Sequence, residues 1–268
     1  MKKKLRILLL IIFLISTALL LRQVLDNAGG SSSYDSALSI ATSGGSKKTA
    51  PEKREAAVNE ETKPEWVPEE VTGDEHLESL ADIDLDALRE VNPDVIGWIR
   101  IPGTKVDYPL LQGQDNDYYL KHTWDGKENS VGSIFMEHRN SPELTDFNTI
   151  VYGHNMNDGS MFANIRRYAT DWYRQRHPYV YIAGPAGVYR YEVFSSYQAA
   201  VDSPAYGLSF HQDKTRADFL GTAIRDSQAD FGIRPELTDR VLTLSTCSGV
   251  GYSHRWVLHA RLKMVKAE

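Results

Sequence analysis

Along the chain, apolar and polar positions follow three successive regimes. Residues 7–21 are apolar at every position except Ser16 and Thr17, and Leu5, Val24 and Leu25 extend the run toward the length at which a helix crosses a bilayer. Residues 27–71 hold few large apolar side chains. Gly29-Gly30-Ser31-Ser32-Ser33 and Ser43-Gly44-Gly45-Ser46 have the composition of flexible linkers, and residues 51–70 are charged and interrupted by proline. The whole of 27–73 is therefore expected to be an unstructured tether. Near Asp74 a globular pattern begins. Leu77, Leu80, Leu85, Leu88 and Val91 recur at three- to five-residue intervals until Pro93 stops them, which predicts one or two short amphipathic helices.

After Pro93 the period shortens. Apolar runs bounded by turn residues predict strands over 95–101, 133–136, 149–152, 179–183, 188–197, 241–246 and 255–262. Tyr189, Tyr191 and Val193 alternate with Arg190, Glu192 and Phe194, while Trp256, Leu258, Ala260 and Leu262 share one face of the last strand. A helix is expected over 213–227, where Leu220 and Ile224 lie one turn apart. Many short strands with little strand–helix–strand alternation point to a mainly β fold, a barrel or a sandwich decorated by helices.

Charge gives the first regime an orientation. Four of the five residues after Met1 are basic, Lys2, Lys3, Lys4 and Arg6, which places the N-terminus in the cytoplasm and the rest of the chain outside. A secretory signal peptide has the same layout, but its best cleavage position, Ala28, has Asp26 near it where a small residue is wanted. The reading favoured is an uncleaved anchor: a basic tip and membrane helix at 1–26, a tether at 27–73 and a catalytic domain at 74–268. Across the full 268 residues, 41% are hydrophobic and 25% charged, as in an ordinary globular protein, and the net charge of −6 speaks against nucleic acid as a partner. Cys247 is the single cysteine, so an intramolecular disulfide and Cys-rich metal sites are excluded. No acidic run has the spacing of an EF-hand loop, and neither a metal nor a cofactor is expected.

Chemistry concentrates in Leu242-Thr243-Leu244-Ser245-Thr246-Cys247-Ser248-Gly249. A strand that ends in a thiol at the mouth of a turn holds the sulfur rigidly and leaves it reachable, as a nucleophile requires. Small polar neighbours weigh against a buried structural cysteine. Among the eight histidines, His154 follows the apolar stretch Thr149-Ile150-Val151-Tyr152 through Gly153, so its imidazole is expected at a sheet rim. His254 is a rival, seven residues past Cys247 in a loop. His259 alternates with Leu258 and Ala260 and reads as a hydrogen-bonded barrel or surface residue. Arg255 opens the last strand, and a strand–loop–strand return could bring its guanidinium beside the thiol, where a fixed cation stabilises an oxyanion.

Taken together, Thr243-Leu244-Ser245-Thr246-Cys247, downstream Arg255 and upstream Tyr152-Gly153-His154-Asn155 resemble the sortase signature. Class B sortases in particular are resembled by Asn92-Pro93-Asp94-Val95-Ile96-Gly97-Trp98-Ile99, by Pro102-Gly103-Thr104 and by Asp107-Tyr108-Pro109. Gly132-Ser133-Ile134-Phe135-Met136, Met156 and Ser160-Met161-Phe162 follow in the family's order, and the resemblance spans about 85–265. It implies a mainly β fold, an eight-stranded closed β-barrel with an N-terminal helical extension and a helix inserted before the cysteine strand.

The resemblance further implies a membrane-anchored cysteine transpeptidase on a Gram-positive cell. Such an enzyme cleaves the C-terminal sorting signal of a surface protein after threonine, holds it as a thioester, and passes it to an amine of a peptidoglycan precursor. Carried over by motif, Cys247 is the nucleophile, His154 the general acid–base and Arg255 the oxyanion or substrate stabiliser, with Ser245 and Thr246 lining the groove. Three other readings remain open at this level: a class B pilin-polymerising enzyme using a lysine amine, a hydrolytic cysteine peptidase, and an anchored binding module with a vestigial trio.

Overall fold

The computed structural model describes residues 2–43, 74–247 and 253–266. Eight strands form a closed barrel: β1 (Val95–Arg100), β2 (Asp107–Leu111), β3 (Ile134–Met136), β4 (Asn148–Tyr152), β5 (Tyr179–Gly184), β6 (Gly187–Ala200), β7 (Val241–Cys247) and β8 (His254–Lys266). Their order around the barrel is β1-β2-β3-β4-β7-β8-β6-β5, with β5 closing onto β1. The β2–β3 and β4–β7 pairs are parallel and the others antiparallel. Parallel neighbours need long crossovers, because a tight turn can join only antiparallel strands. The first crossover is the loop 112–133; the second contains α4 (Asp171–Arg176), β5, β6 and α5 (Asp213–Asp226).

Alternation along each strand sorts side chains into an inner core and two outer ones. Leu242 and Leu244 of β7 join Ile134, Val151, Ile182 and Leu258 inside the barrel. The face expected for the last strand is the one observed, since Trp256, Leu258, Ala260 and Leu262 all enter this core. Val241 and Val257 point outward and are covered by Phe219, Leu220 and Ala223 of α5. The expected helix 213–227 is thus found one residue shorter and inserted before the cysteine strand. A third cluster joins Trp98, Trp124 and Phe135 to the short helices α2 (Glu75–Ala81) and α3 (Leu85–Val91). Asp74 and Asp84 cap these two helices, accepting from the backbone N–H of His76 and Ala87.

The N-terminal helix departs from expectation. α1 runs continuously over Lys2–Ser43, so residues 27–43 are helical and the tether does not begin at Asn27; positions 44–73 of the expected tether lie outside the described residues. Glycine and serine are poor helix formers alone. Here they give a narrow face that fits against the domain: Ala37 and Ala41 are fully buried there, and Tyr34 packs edge-on against Tyr108. Burial and hydrogen bonding to the barrel decide the outcome over composition. Upstream, every large apolar side chain from Ile7 to Leu25 is 48–65 % exposed, so this half of the helix has no protein cover among the described residues.

A buried polar group pins the sheet below its rim. His259 of β8 is fully buried, with Nδ1 2.9 Å from the Thr243 hydroxyl of β7 and Nε2 3.2 Å from the Tyr197 hydroxyl of β6. Thr243 donates in turn to Asn148 Oδ1 of β4 at 2.6 Å. Burial pushes the His259 imidazole down to about 3 from an ordinary 6.5. Between those values the unfolded chain binds a proton that the folded chain refuses, so stability is complete above about pH 6.5 and falls as the pH drops toward 3. Equilibrium urea unfolding followed by tryptophan fluorescence is expected to show a loss approaching about 1.4 kcal/mol per pH unit between pH 6 and 4.5 from this one proton. The variant His259→Gln, though less stable at pH 7, is expected to show a visibly shallower slope over the same interval.

Candidate active site

Backbone register brings three chain segments to one rim. β4 and β7 run parallel, with Val151 opposite Leu244 and Tyr152 opposite Ser245, and Gly153 N–H then donates to the Ser245 carbonyl at 3.1 Å. β7 and β8 run antiparallel, with Thr246 opposite Trp256 and Cys247 opposite Arg255. His154 therefore leaves β4 beside the end of β7, and Arg255 faces Cys247 across the ladder. A shift of one residue in either pairing would turn every side chain to the other face, so the hydrophobic alternation that seats Leu242 and Leu244 also selects this arrangement.

A cleft of ≈ 360 Å³ opens at this rim and is lined by His154, Ser245, Thr246 and Arg255 together with Tyr152 and Tyr206. The half-buried His154 directs Nε2 at the Leu120 carbonyl, 2.8 Å away. A carbonyl only accepts, so this contact places the proton on Nε2 and leaves Nδ1 as the basic nitrogen. The loop after it folds back: Phe162 N–H donates to the His154 carbonyl at 2.9 Å, and Asn155 bridges Met161. Ser245 is buried, with its hydroxyl 2.9 Å from the Tyr206 hydroxyl. The Thr246 hydroxyl is buried without a hydrogen-bond partner among the described residues, a costly state that a polar ligand group in the cleft would relieve. Arg255 is half-buried, and its Nη1 donates to the His254 carbonyl at 3.1 Å. That bond directs part of the guanidinium along its own strand.

The rival histidines sit elsewhere. His254 pairs with Ala200 of β6, with its ring 2.9 Å from the Ser253 hydroxyl, and does not line the cleft. His76 packs on Tyr181, His177 contacts the Pro102 carbonyl, and His138 lies 3.1 Å from Glu137.

Sequence reasoning passed over a charged cluster that also lines the cleft. Glu137 is almost wholly buried yet accepts from Arg139 Nε at 2.6 Å, Asn116 Nδ2 at 2.7 Å and the Tyr152 hydroxyl at 3.0 Å. Burial by itself would raise this carboxyl; the hydrogen bonds from Arg139, Asn116 and Tyr152 outweigh it and hold it below its ordinary range. Burial first, and then the same carboxylate, push the Tyr152 phenol up, so Tyr152 is a firm donor. Asn116, Glu137, Arg139 and Tyr152 all line the cleft. The available signal was a glutamate and an arginine directly after the buried run Ile134-Phe135-Met136, where charge needs a partner.

Comparison with known proteins agrees with this fold. A sortase domain model matches residues 99–263. Sortase B of Listeria monocytogenes is 39% identical over 165 residues, covering 61% of this chain and 67% of the relative. Among solved structures, a Staphylococcus aureus sortase B–substrate complex superposes with a TM-score of 0.65 at 31% identity, covering 68% of this chain and 85% of the other. A sortase B complexed with triglycine superposes with a TM-score of 0.64 at 31% identity, covering 68% and 86%.

The two candidate histidines can be separated by substitution. General acid–base catalysis is typically worth about 10²–10⁴-fold, so His154→Ala is expected to lower turnover of a reactive peptide substrate by about that range, and His254→Ala by less than about fivefold. Steady-state kinetics on the two variants checks this. Reversed rank would move the role to His254.

Proposed function

This chain belongs to the class B sortases, a family of cysteine transpeptidases, and we propose that it attaches surface proteins to the cell wall of a Gram-positive bacterium. In this reading residues 1–26 anchor it as a single span with the N-terminus in the cytoplasm, and residues 74–268 act outside the membrane. Support for the anchor comes from α1, whose uncovered apolar half is long enough to cross a bilayer, and from the basic residues before it.

The observation that carries the proposal is the register that puts the ends of β4, β7 and β8 at one rim, with Cys247 opposite Arg255 and His154 beside the end of β7. The Cys247 thiolate attacks the threonine carbonyl carbon of a C-terminal sorting signal. As the C–N bond breaks, protonated His154 gives its proton to the departing amine, leaving a thioester. An amine of a cell-wall precursor then attacks that thioester, His154 takes up its proton, and the thiolate leaves. One imidazole serves both halves because the second is the first reversed with a new amine. Arg255 offers fixed donors to the oxyanion of each tetrahedral intermediate or to the substrate backbone beside it. Ser245 and Thr246 line the groove, where the unsatisfied Thr246 hydroxyl suits a backbone group of the peptide. The solved relatives with a substrate and with triglycine support a sorting signal and an amine acceptor as the two partners.

Product analysis tests this directly. The full-length chain in detergent, mixed with peptides carrying threonine at the cleavage position, is expected to give peptide–amine conjugate when a glycine-based amine is present. Free acid alone, with amine in excess, would instead indicate a hydrolytic peptidase, and conjugate formed only with a lysine side-chain amine would indicate a pilin polymerase. For Arg255, lysine keeps the charge and loses the planar fork. Loss of one oxyanion donor typically costs about 10²–10³ in kcat, so Arg255→Lys is expected to lose at least about tenfold in kcat/KM while Cys247 alkylates at the wild-type rate. Near wild-type turnover in that variant would reduce Arg255 to a diffuse charge.

A further inference from the structure

His154 is held by its own strand on one side and by the crossover 112–133 on the other. Leu120 supplies the carbonyl that Nε2 meets at 2.8 Å. Gly132, at φ +61°, lies so close to the ring that a Cβ there would stand 2.8 Å from Cδ2. The crossover has little secondary structure of its own, yet it must keep two backbone groups in place against an imidazole.

The juxtamembrane half of α1 supplies that support. Asn129 Nδ2 donates to the Asp26 carbonyl at 2.9 Å and the Ser130 hydroxyl to the Asp26 carboxylate at 3.1 Å. Trp124 Nε1 donates to the Ser33 carbonyl at 2.8 Å, and Ser33 donates to Asp125 at 3.1 Å. The Tyr34 hydroxyl donates to the carbonyl of Gly132, the residue on which the ring rests. Gly30 is buried against the neighbouring Val131, where a Cβ would come within 2.8 Å of Cγ2.

We propose that residues 26–43 of α1 are a positioning element for His154, acting through the Tyr34–Gly132 and Gly30–Val131 contacts. The segment that leaves the membrane thereby becomes part of the machinery that aligns the acid–base group. This rests on the reading of His154 as that group, and the test separates the two.

The full-length chain in detergent micelles is used throughout, with ¹³C-labelled histidine and the His154 signals assigned by their loss in His154→Gln. Gly30→Ala improves the helix propensity of α1 and at the same time drives a methyl into Val131. Because misplacement by an ångström can cost about 10²-fold, Gly30→Ala is expected to lower kcat by at least about tenfold with KM within about twofold, and to shift the His154 ring signals. Adding Val131→Ala makes room for the methyl and is expected to restore both readouts. Tyr34→Phe, which keeps the ring against Tyr108 and removes only the donor, is expected to shift the His154 signals in the same way. Lower thermal stability with unchanged kcat and unchanged His154 signals would overturn the proposal, leaving α1 as a brace. A loss of kcat that Val131→Ala fails to restore would overturn the Gly30–Val131 path. Shifted His154 signals with unchanged kcat would leave the contact path standing and contradict the acid–base role of His154.

Discussion

The structure depends on the double pairing of β7. Its backbone is bonded in parallel to β4 and antiparallel to β8, so one strand sets the level of the other two. Side chains reinforce that level on the outer face, beneath α5: Thr243 on β7 donates to Asn148 on β4 and contacts His259 on β8, which also meets Tyr197 on β6 and packs on Phe219 of α5. Asn148 further donates to the carbonyls of Ala205 and Gly207, in the connection that leads toward α5. Buried polar groups tolerate few alternatives, because any slip leaves donors and acceptors unpaired where water cannot reach them. Four strands and the inserted helix are therefore keyed to one register.

Function follows from where that register ends. Parallel β4 and β7 finish at the same rim, and antiparallel β8 begins there, so the three residues proposed for catalysis are carried to one rim by strand register rather than by loop shape. The cleft's lining is chemically mixed. His154, Arg255 and the Thr246 hydroxyl line the cleft, and so does a cluster in which Glu137 is held ionised by Arg139, Asn116 and Tyr152. Removing one partner of such a buried carboxylate leaves a charge without compensation, which gives the cluster a structural stake in staying intact. It fixes Tyr152, the residue two before His154, and so stiffens the strand end that presents the imidazole.

Much of this was legible in the sequence because the informative residues lie in regular strands. Cys247, His154 and Arg255 each stand where an apolar alternation meets a turn, and the motifs around them resemble those of a known family in the same order. The helix 213–227 was readable from its own apolar spacing and ends one residue earlier, at Asp226. β2 was harder, since Pro109 interrupts a short run and a proline ordinarily demotes a strand. Glu137 and Arg139 were missed because their partners Asn116 and Tyr152 come from different segments, which periodicity does not connect. The tether was misplaced for a different reason: Gly29-Gly30 and the serines after it are a flexible composition in isolation, but small residues also allow a helix to approach Val131 and Trp124 closely. Composition reports what a segment does alone, and here the decisive contacts come from residues far along the chain, Gly132 and Asn129.

The proposed chemistry requires a covalent intermediate at Cys247. Intact-protein mass spectrometry of the full-length chain, acid-quenched within the first turnovers with a threonine-containing sorting peptide and no amine, measures it most directly. The expected result is a species heavier by the peptide's acyl portion, released by hydroxylamine as a thioester is, and absent from Cys247→Ala. An adduct that persists in Cys247→Ala, or peptide cleavage that proceeds in that variant at the wild-type rate, would contradict it.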